Sequence, residues 1–237
     1  MSAPLAVIGG AAIGMAAGSL IVPFTRRSLA ASVARASLAD PATPATPTSA
    51  NADVVDPARI TARQWALLAV VSGILPAYVL HKVGWSIIAF PPLLLLVGLV
   101  QLAYCDLVQR LLPKALVWTL SAAVIVSGIA IAGVMHEWQR LVVASIGGLA
   151  FFALFFMINL MNPRWMAFGD VRLSLVVGFG LAWVSWTAVI EGLFFANLLA
   201  VIGGFALIAM HKAERRSAVP FGLYLALGTA LVLVTWS

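Results

Sequence analysis

Apolar runs of about twenty residues follow one another along most of this chain, broken by short polar stretches. A run of that length is what a helix needs to cross the hydrocarbon of a bilayer. The pattern predicts eight such helices, near 3–24, 64–81, 84–104, 115–135, 141–160, 171–190, 192–210 and 219–236. The narrowest break is "HKVGW", where His81, Lys82 and Gly84 separate two runs. One long polar region interrupts the series at 25–63 and contains "DPATPATPTSANADVVDPAR". Repeated Pro, Ala and Thr cannot bury a core, so this region reads as a flexible loop. The predicted organisation is a first transmembrane helix at 1–24, a cytoplasmic loop at 25–63 and a seven-helix membrane domain at 64–237. Gly10, Gly14 and Gly18 lie four apart, which puts small residues on one face of the first helix for close packing.

Composition agrees with an all-α polytopic membrane protein. Of 237 residues, 63% are hydrophobic and only 9% charged, with a mean hydropathy of +1.07. A water-soluble surface needs far more charge. The net charge of +6 therefore does not point to nucleic acid. In a membrane protein the placement of basic residues sets orientation. With the N-terminus outside, the predicted inner loops hold Arg26, Arg27, Arg35, Arg59, Arg63, Arg110, Lys114, Arg164, Arg172, Lys212, Arg215 and Arg216. The outer loops hold Lys82 and Arg140. The asymmetry selects that orientation, with both termini outside. Arg26 and Arg27 follow the first apolar run instead of preceding it, so that run reads as a retained helix and not a cleavable signal. A single cysteine, Cys105, excludes an internal disulfide and a cysteine-rich zinc site.

Two acidic residues depart from this pattern. Asp170, in "MAFGDVRLSLVVGFG", sits between apolar runs. It could be a helix N-cap, since an aspartate there accepts orphan backbone N–H groups. Asp106, in "QLAYCDLVQRLLPKAL", follows a run, where a carboxylate opposes the helix dipole. Two predicted spans separate them, and an even number of crossings returns the chain to the same face. Both aspartates then lie at the inner edge of the membrane. Carboxylates at membrane depth are costly and usually mark a site. Two at one depth suggest a pair sharing a proton, one pKa raised and the other lowered. Such a pair can activate water with its ionised member and polarise a carbonyl with the other.

Here the chain resembles a known family, the type IV prepilin peptidases, membrane aspartic proteases with a GxGD motif. "CDLVQRLLPKAL" is similar to the family's first catalytic segment, with Asp106, then Arg110 four and Pro113 seven residues on. "MAFGDVRL" is similar to the second, usually Gly-x-Gly-Asp-Val-Lys-Leu, and carries Gly169 and Asp170. "AVPFGLYLALG" is similar to the opening of its last helix, with Pro220, Phe221 and Gly222. "GSLIVPFTRR" faintly resembles the end of its first helix. The resemblance implies a bacterial inner-membrane endopeptidase that removes the leader of prepilins or prepilin-like proteins at the cytoplasmic edge. It implies catalysis by Asp106 and Asp170, without metal or cofactor, with Gly169, Arg110, Pro113, Arg172, Pro220 and Gly222 in support. Its partners would be the prepilin substrate and the lipid bilayer. Two departures stand out: Ala167 replaces the first glycine of GxGD, and Arg172 the usual lysine. Many members also carry a cytoplasmic domain with paired CxxC motifs, associated with zinc and N-methylation. The 25–63 loop has no cysteine, so the resemblance is to a short, peptidase-only form.

Other chemistry is less well supported. "HEWQR" begins like a zinc-protease HExxH, but its fifth residue is Arg140. His81, His136 and His211 do not cluster, and no GxSxG element is present. Cys105 reads as a packed apolar residue. The eight tryptophans fit membrane interfaces. Two rival functions remain: a small proton- or cation-coupled transporter using the same aspartates, and a catalytically inactive scaffold of a pilus or secretion assembly, for which Ala167 is the supporting feature.

Overall fold

The computed structural model describes residues 62–83, 86–109, 114–162, 168–209 and 221–236. The predicted first span and almost all of the 25–63 loop lie outside them. Among the described residues the chain is helical, with no strand. Seven α-helices run in order: α1 Ala62–Val83, α2 Phe90–Gln109, α3 Lys114–Met135, α4 Trp138–Met161, α5 Phe168–Val184, α6 Trp186–Ala209 and α7 Phe221–Thr235. Each overlaps a predicted run. In hydrocarbon a backbone has no water to bond, so an apolar chain must satisfy its own N–H and C=O groups, and helices do this locally. Among the described residues four stretches are long and apolar enough to cross a membrane: Ile87–Tyr104, Leu116–Met135, Trp138–Met161 and Trp186–Phe205. Gly222–Thr235 is apolar but shorter.

Short signals set the breaks. A 3-10 turn at Ile87–Ala89 precedes α2, and the Ser86 hydroxyl caps it by accepting from Ile88 N at 3.3 Å. Pro91 and Pro92 follow in the first turn of α2, where a missing N–H is not felt. α3 ends at His136, whose φ of 58° is left-handed. Glu137 N then donates back to the Ala132 carbonyl at 3.1 Å, the six-to-one bond of a Schellman cap.

The break between α5 and α6 differs from the one predicted. The sequence pattern placed it at Glu191, the one charged residue nearby. The chain instead turns at Ser185. Its N–H closes α5 on the Leu181 carbonyl at 3.0 Å, and its hydroxyl opens α6 by accepting from Ala188 N at 3.0 Å. A serine that ends one helix and caps the next outweighs a lone carboxylate, which α6 carries on its exposed side as Glu191.

The bundle is built around α5. This helix packs on α2, α3, α4, α6 and α7. From Val176 to Trp183 every residue is buried, as expected of a helix apolar all round. α4 and α6 are apolar too, but they turn large side chains outward, such as Met161 at 76% and Phe205 at 70% exposure. Those faces suit lipid. α4 and α5 come close together at glycines. A Cβ on Gly178 would stand 2.7 Å from the Gly147 carbonyl oxygen and 2.5 Å from Phe151 Cβ. Only glycines let two backbones meet at this spacing.

The α5 C-terminus is tied down on all sides. Trp183 is fully buried, and its Nε1–H donates to the Ile88 carbonyl at 2.8 Å. Arg140 Nη1 donates to the Trp183 carbonyl at 3.2 Å, a cation at the helix C-terminus. Arg140 Nε faces Glu137 Oε2 at 3.6 Å, an ionic contact too long for a hydrogen bond.

Candidate active site

Asp170 sits in the first turn of α5, as its third residue, and is only 6% exposed. It is therefore inside the helix, not at the capping position. A carboxylate suits that place, since the first-turn N–H groups and the dipole favour negative charge. Val171 and Leu173 beside it are fully buried, so Asp170 lies at the inward end of the core, not on a free surface. Asp106 falls in the last turn of α2, three residues before its end. The predicted span ended at Tyr104, so the helix carries this aspartate within it and not after it.

Two contacts set the register between these helices. Leu95 of α2 seats on Gly180 of α5, and Ile88 meets Trp183. Moving along α2 from Ile88 to Leu95 moves back along α5, so the helices are antiparallel. Counting ten residues on from Leu95 and ten back from Gly180 sets Asp170 level with residue 105. Counting thirteen from the other anchor sets it level with residue 101. The end of α2 that bears Asp106 and the start of α5 that bears Asp170 are thus at one end of the bundle. At 1.5 Å rise per residue, positions 106 and 170 lie within about 8 Å of one another in depth.

The other residues of interest divide. Gly169 is half-buried and helical, in the first turn of α5. The backbone there is not left-handed, so a demand for glycine at this point would come from space, not from φ. Arg172 stacks its guanidinium over the exposed Phe168 ring at 4.6 Å, four residues back on the same helix. Gly222 is buried in the first turn of α7. Arg110, Pro113, Ala167 and Pro220 lie outside the described residues. Among the described residues no group of three His, Cys, Asp or Glu is placed to hold a metal ion. The pattern reading passed over Gln101, which is 1% exposed and donates from Nε2 to the Ser72 hydroxyl of α1 at 3.1 Å. The signal was present: it is the one side-chain amide in the 84–104 run.

These features define an all-helical membrane protein with acidic residues on two helix ends at one end of its bundle. The family model for the type IV leader peptidase family matches residues 93–209, which takes in both aspartates. The chain is 27% identical over 176 residues to a prepilin leader peptidase/N-methyltransferase of Stutzerimonas stutzeri, covering 73% of this chain and 58% of that one. It is 29% identical over 152 residues to the protein of that name from Aeromonas salmonicida, covering 64% and 50%. It is 26% identical over 174 residues to that of Pseudomonas aeruginosa, covering 73% and 58%. No solved structure matches the chain significantly. Over residues 93–209, just under half of its length, the chain is similar to the type IV leader peptidase family. It spans between half and three-fifths of the length of these curated relatives.

Proposed function

We propose that this chain is a membrane aspartic endopeptidase that removes the leader of prepilins or prepilin-like proteins, with Asp106 and Asp170 as its catalytic pair. The observation that carries the reading is the α2–α5 register, which sets the end bearing Asp106 level with the buried Asp170. Helical periodicity supports it further. Positions 95 and 106 are eleven residues apart, close to three full turns, so position 106 shares the face of α2 that meets α5 at Leu95. The names of the relatives supply the substrate class.

The chemistry follows from two carboxylates at one depth. Repulsion between them keeps one protonated. The ionised member takes a proton from a water molecule, which attacks the scissile carbonyl. The protonated member hydrogen-bonds to the carbonyl oxygen as negative charge develops there, and the proton taken from water passes to the leaving amine, which returns the pair to its starting state. The low dielectric of the membrane edge strengthens both interactions.

In this reading the bundle crosses the membrane eight times, counting the 3–24 run, with both termini outside. The helix ends with Asp106 and Asp170 then face the cytoplasm, where the basic loops gather and where a leader would lie. Arg172 on Phe168 is a cation held at that interface. Arg110, Pro113, Gly169, Pro220 and Gly222 are assigned supporting roles by the resemblance of their motifs.

Co-expression with candidate prepilins tests the proposal. Wild type should release the leader, read as a gel shift. Asp106→Asn and Asp170→Asn should each lose at least about a hundredfold in cleavage while still inserting, because general acid–base groups contribute about 10² to 10⁴. Near-normal cleavage by either variant removes that residue from the mechanism.

A further inference from the structure

A second polar feature lies on the other flank of α2, away from the catalytic proposal. Gln101 and Ser72 are both buried, at 1% and 0% exposure, in a bundle whose interior is otherwise almost wholly apolar. Gln101 Nε2 donates to Ser72 Oγ at 3.1 Å. Its other amide atom, Oε1, is buried and finds no donor among the described residues. A buried acceptor left unpaired is costly, and in a bilayer no bulk water relieves it.

A second acceptor stands beside it. Four residues after Ser72, α1 carries a buried Pro76. In an α-helix the N–H of residue 76 would bond the carbonyl of residue 72. Proline has no N–H, and its ring crowds that carbonyl outward. The Ser72 carbonyl therefore lacks its helical donor, on the very residue whose hydroxyl Gln101 touches. The two acceptors thus belong to residues that touch across α1 and α2 through the Nε2–Oγ hydrogen bond. The same register that orders α2 against α5 puts this contact point near the depth of Asp170, on the α1 side.

We propose that this point binds one buried water molecule, which donates one hydrogen to the Ser72 carbonyl and the other to Gln101 Oε1. Water is the ligand the chemistry selects. Both protein groups are acceptors, so the occupant must offer two donors. It must also be small, because both side chains are buried. Buried waters characteristically make about three hydrogen bonds to groups left over by the fold, and the Ser72 hydroxyl supplies the third partner. The water then joins α1, which among the described helices packs on α2 and α7, to the core at the point where proline weakens it.

The test uses the full chain in detergent micelles and in a structure that resolves waters. Gln101→Leu removes one acceptor and strands the Ser72 carbonyl. Pro76→Ala restores an N–H for that carbonyl. Gln101→Leu should lower the apparent Tm by about 4 °C or more in the wild-type background. In the Pro76→Ala background it should lower it by less than half as much, since no carbonyl is then stranded. An equal loss in both backgrounds overturns the proposal, because the two acceptors would share nothing. The structure of the unaltered protein decides independently of variant folding. A water within hydrogen-bond distance of both the Ser72 carbonyl and Gln101 Oε1 is expected. A Gln101 amide turned to donate directly to the Ser72 carbonyl, with no water, overturns it.

Discussion

A single methyl group added at Gly178 should separate two helices. Gly178 faces α4, and a Cβ there would stand 2.7 Å from the Gly147 carbonyl oxygen and 2.5 Å from Phe151 Cβ. Ordinary carbon contacts lie near 3.5–4.0 Å, so relief needs a shift of about 1 Å. Phe151 is 3% exposed and cannot swing away, and the oxygen belongs to the backbone. The helices must therefore part along their length. Overpacking of this kind costs about 1–3 kcal/mol, against up to about 1 kcal/mol returned by the better helix propensity of alanine. The net expectation for Gly178→Ala is a loss of about 1–2 kcal/mol, or roughly 2–8 °C in Tm. Gly133→Ala is the matched control. It also lies in a helix, but nothing is within 4 Å of its Cβ site, so the same substitution should be neutral or stabilising. Thermal unfolding of both variants in one detergent reads the difference directly. Equal shifts for the two, or a stabilised Gly178→Ala, would refute the argument that α4 and α5 meet backbone to backbone.

Three further outcomes are expected. Trp183→Phe keeps an aromatic ring but removes the N–H that serves the Ile88 carbonyl and part of the buried indole volume, so unfolding measurements should show a loss of at least about 1–3 kcal/mol. His136→Gly should be neutral or stabilising by up to about 1 kcal/mol, because glycine adopts the φ of 58° without the Cβ penalty; a clear loss in the same assay would mean that the imidazole itself does something at the α3–α4 turn. Mass spectrometry of a prepilin processed by this chain with added S-adenosylmethionine should show a free, unmethylated N-terminus, since the 25–63 loop has no cysteine or histidine for a zinc-bearing domain; a methylated product would show that the second activity in the relatives' name needs no such domain.

How much of this was legible beforehand depends on which physical effect decides each feature. Helix existence was legible, because in hydrocarbon an apolar run of spanning length has few alternatives to a helix. The α5–α6 break was not, because the pattern weighs charge, and Ser185 acts through two backbone hydrogen bonds that only appear once the chain turns. Asp106 and Asp170 stood out because carboxylates are rare in such runs. Their shared end of the bundle followed from counting crossings, and the Leu95–Gly180 and Ile88–Trp183 contacts supply that alignment by a separate route. Gln101 and Pro76 were each visible but meant nothing apart. Twenty-five residues separate them, and only the pairing of α1 with α2 brings an unpaired amide oxygen to the residue whose carbonyl the proline leaves without a donor. The same logic explains why α5 bears the aspartate most exactingly placed. A helix buried on every side cannot drift or tilt without breaking contacts on α2, α3, α4, α6 and α7 at once. A carboxylate in its first turn is therefore held at a fixed depth by packing along the whole helix. Under the proposed function, substitutions far up α5, at Gly178 or Trp183, are then expected to lower cleavage through the position of Asp170 while touching neither aspartate.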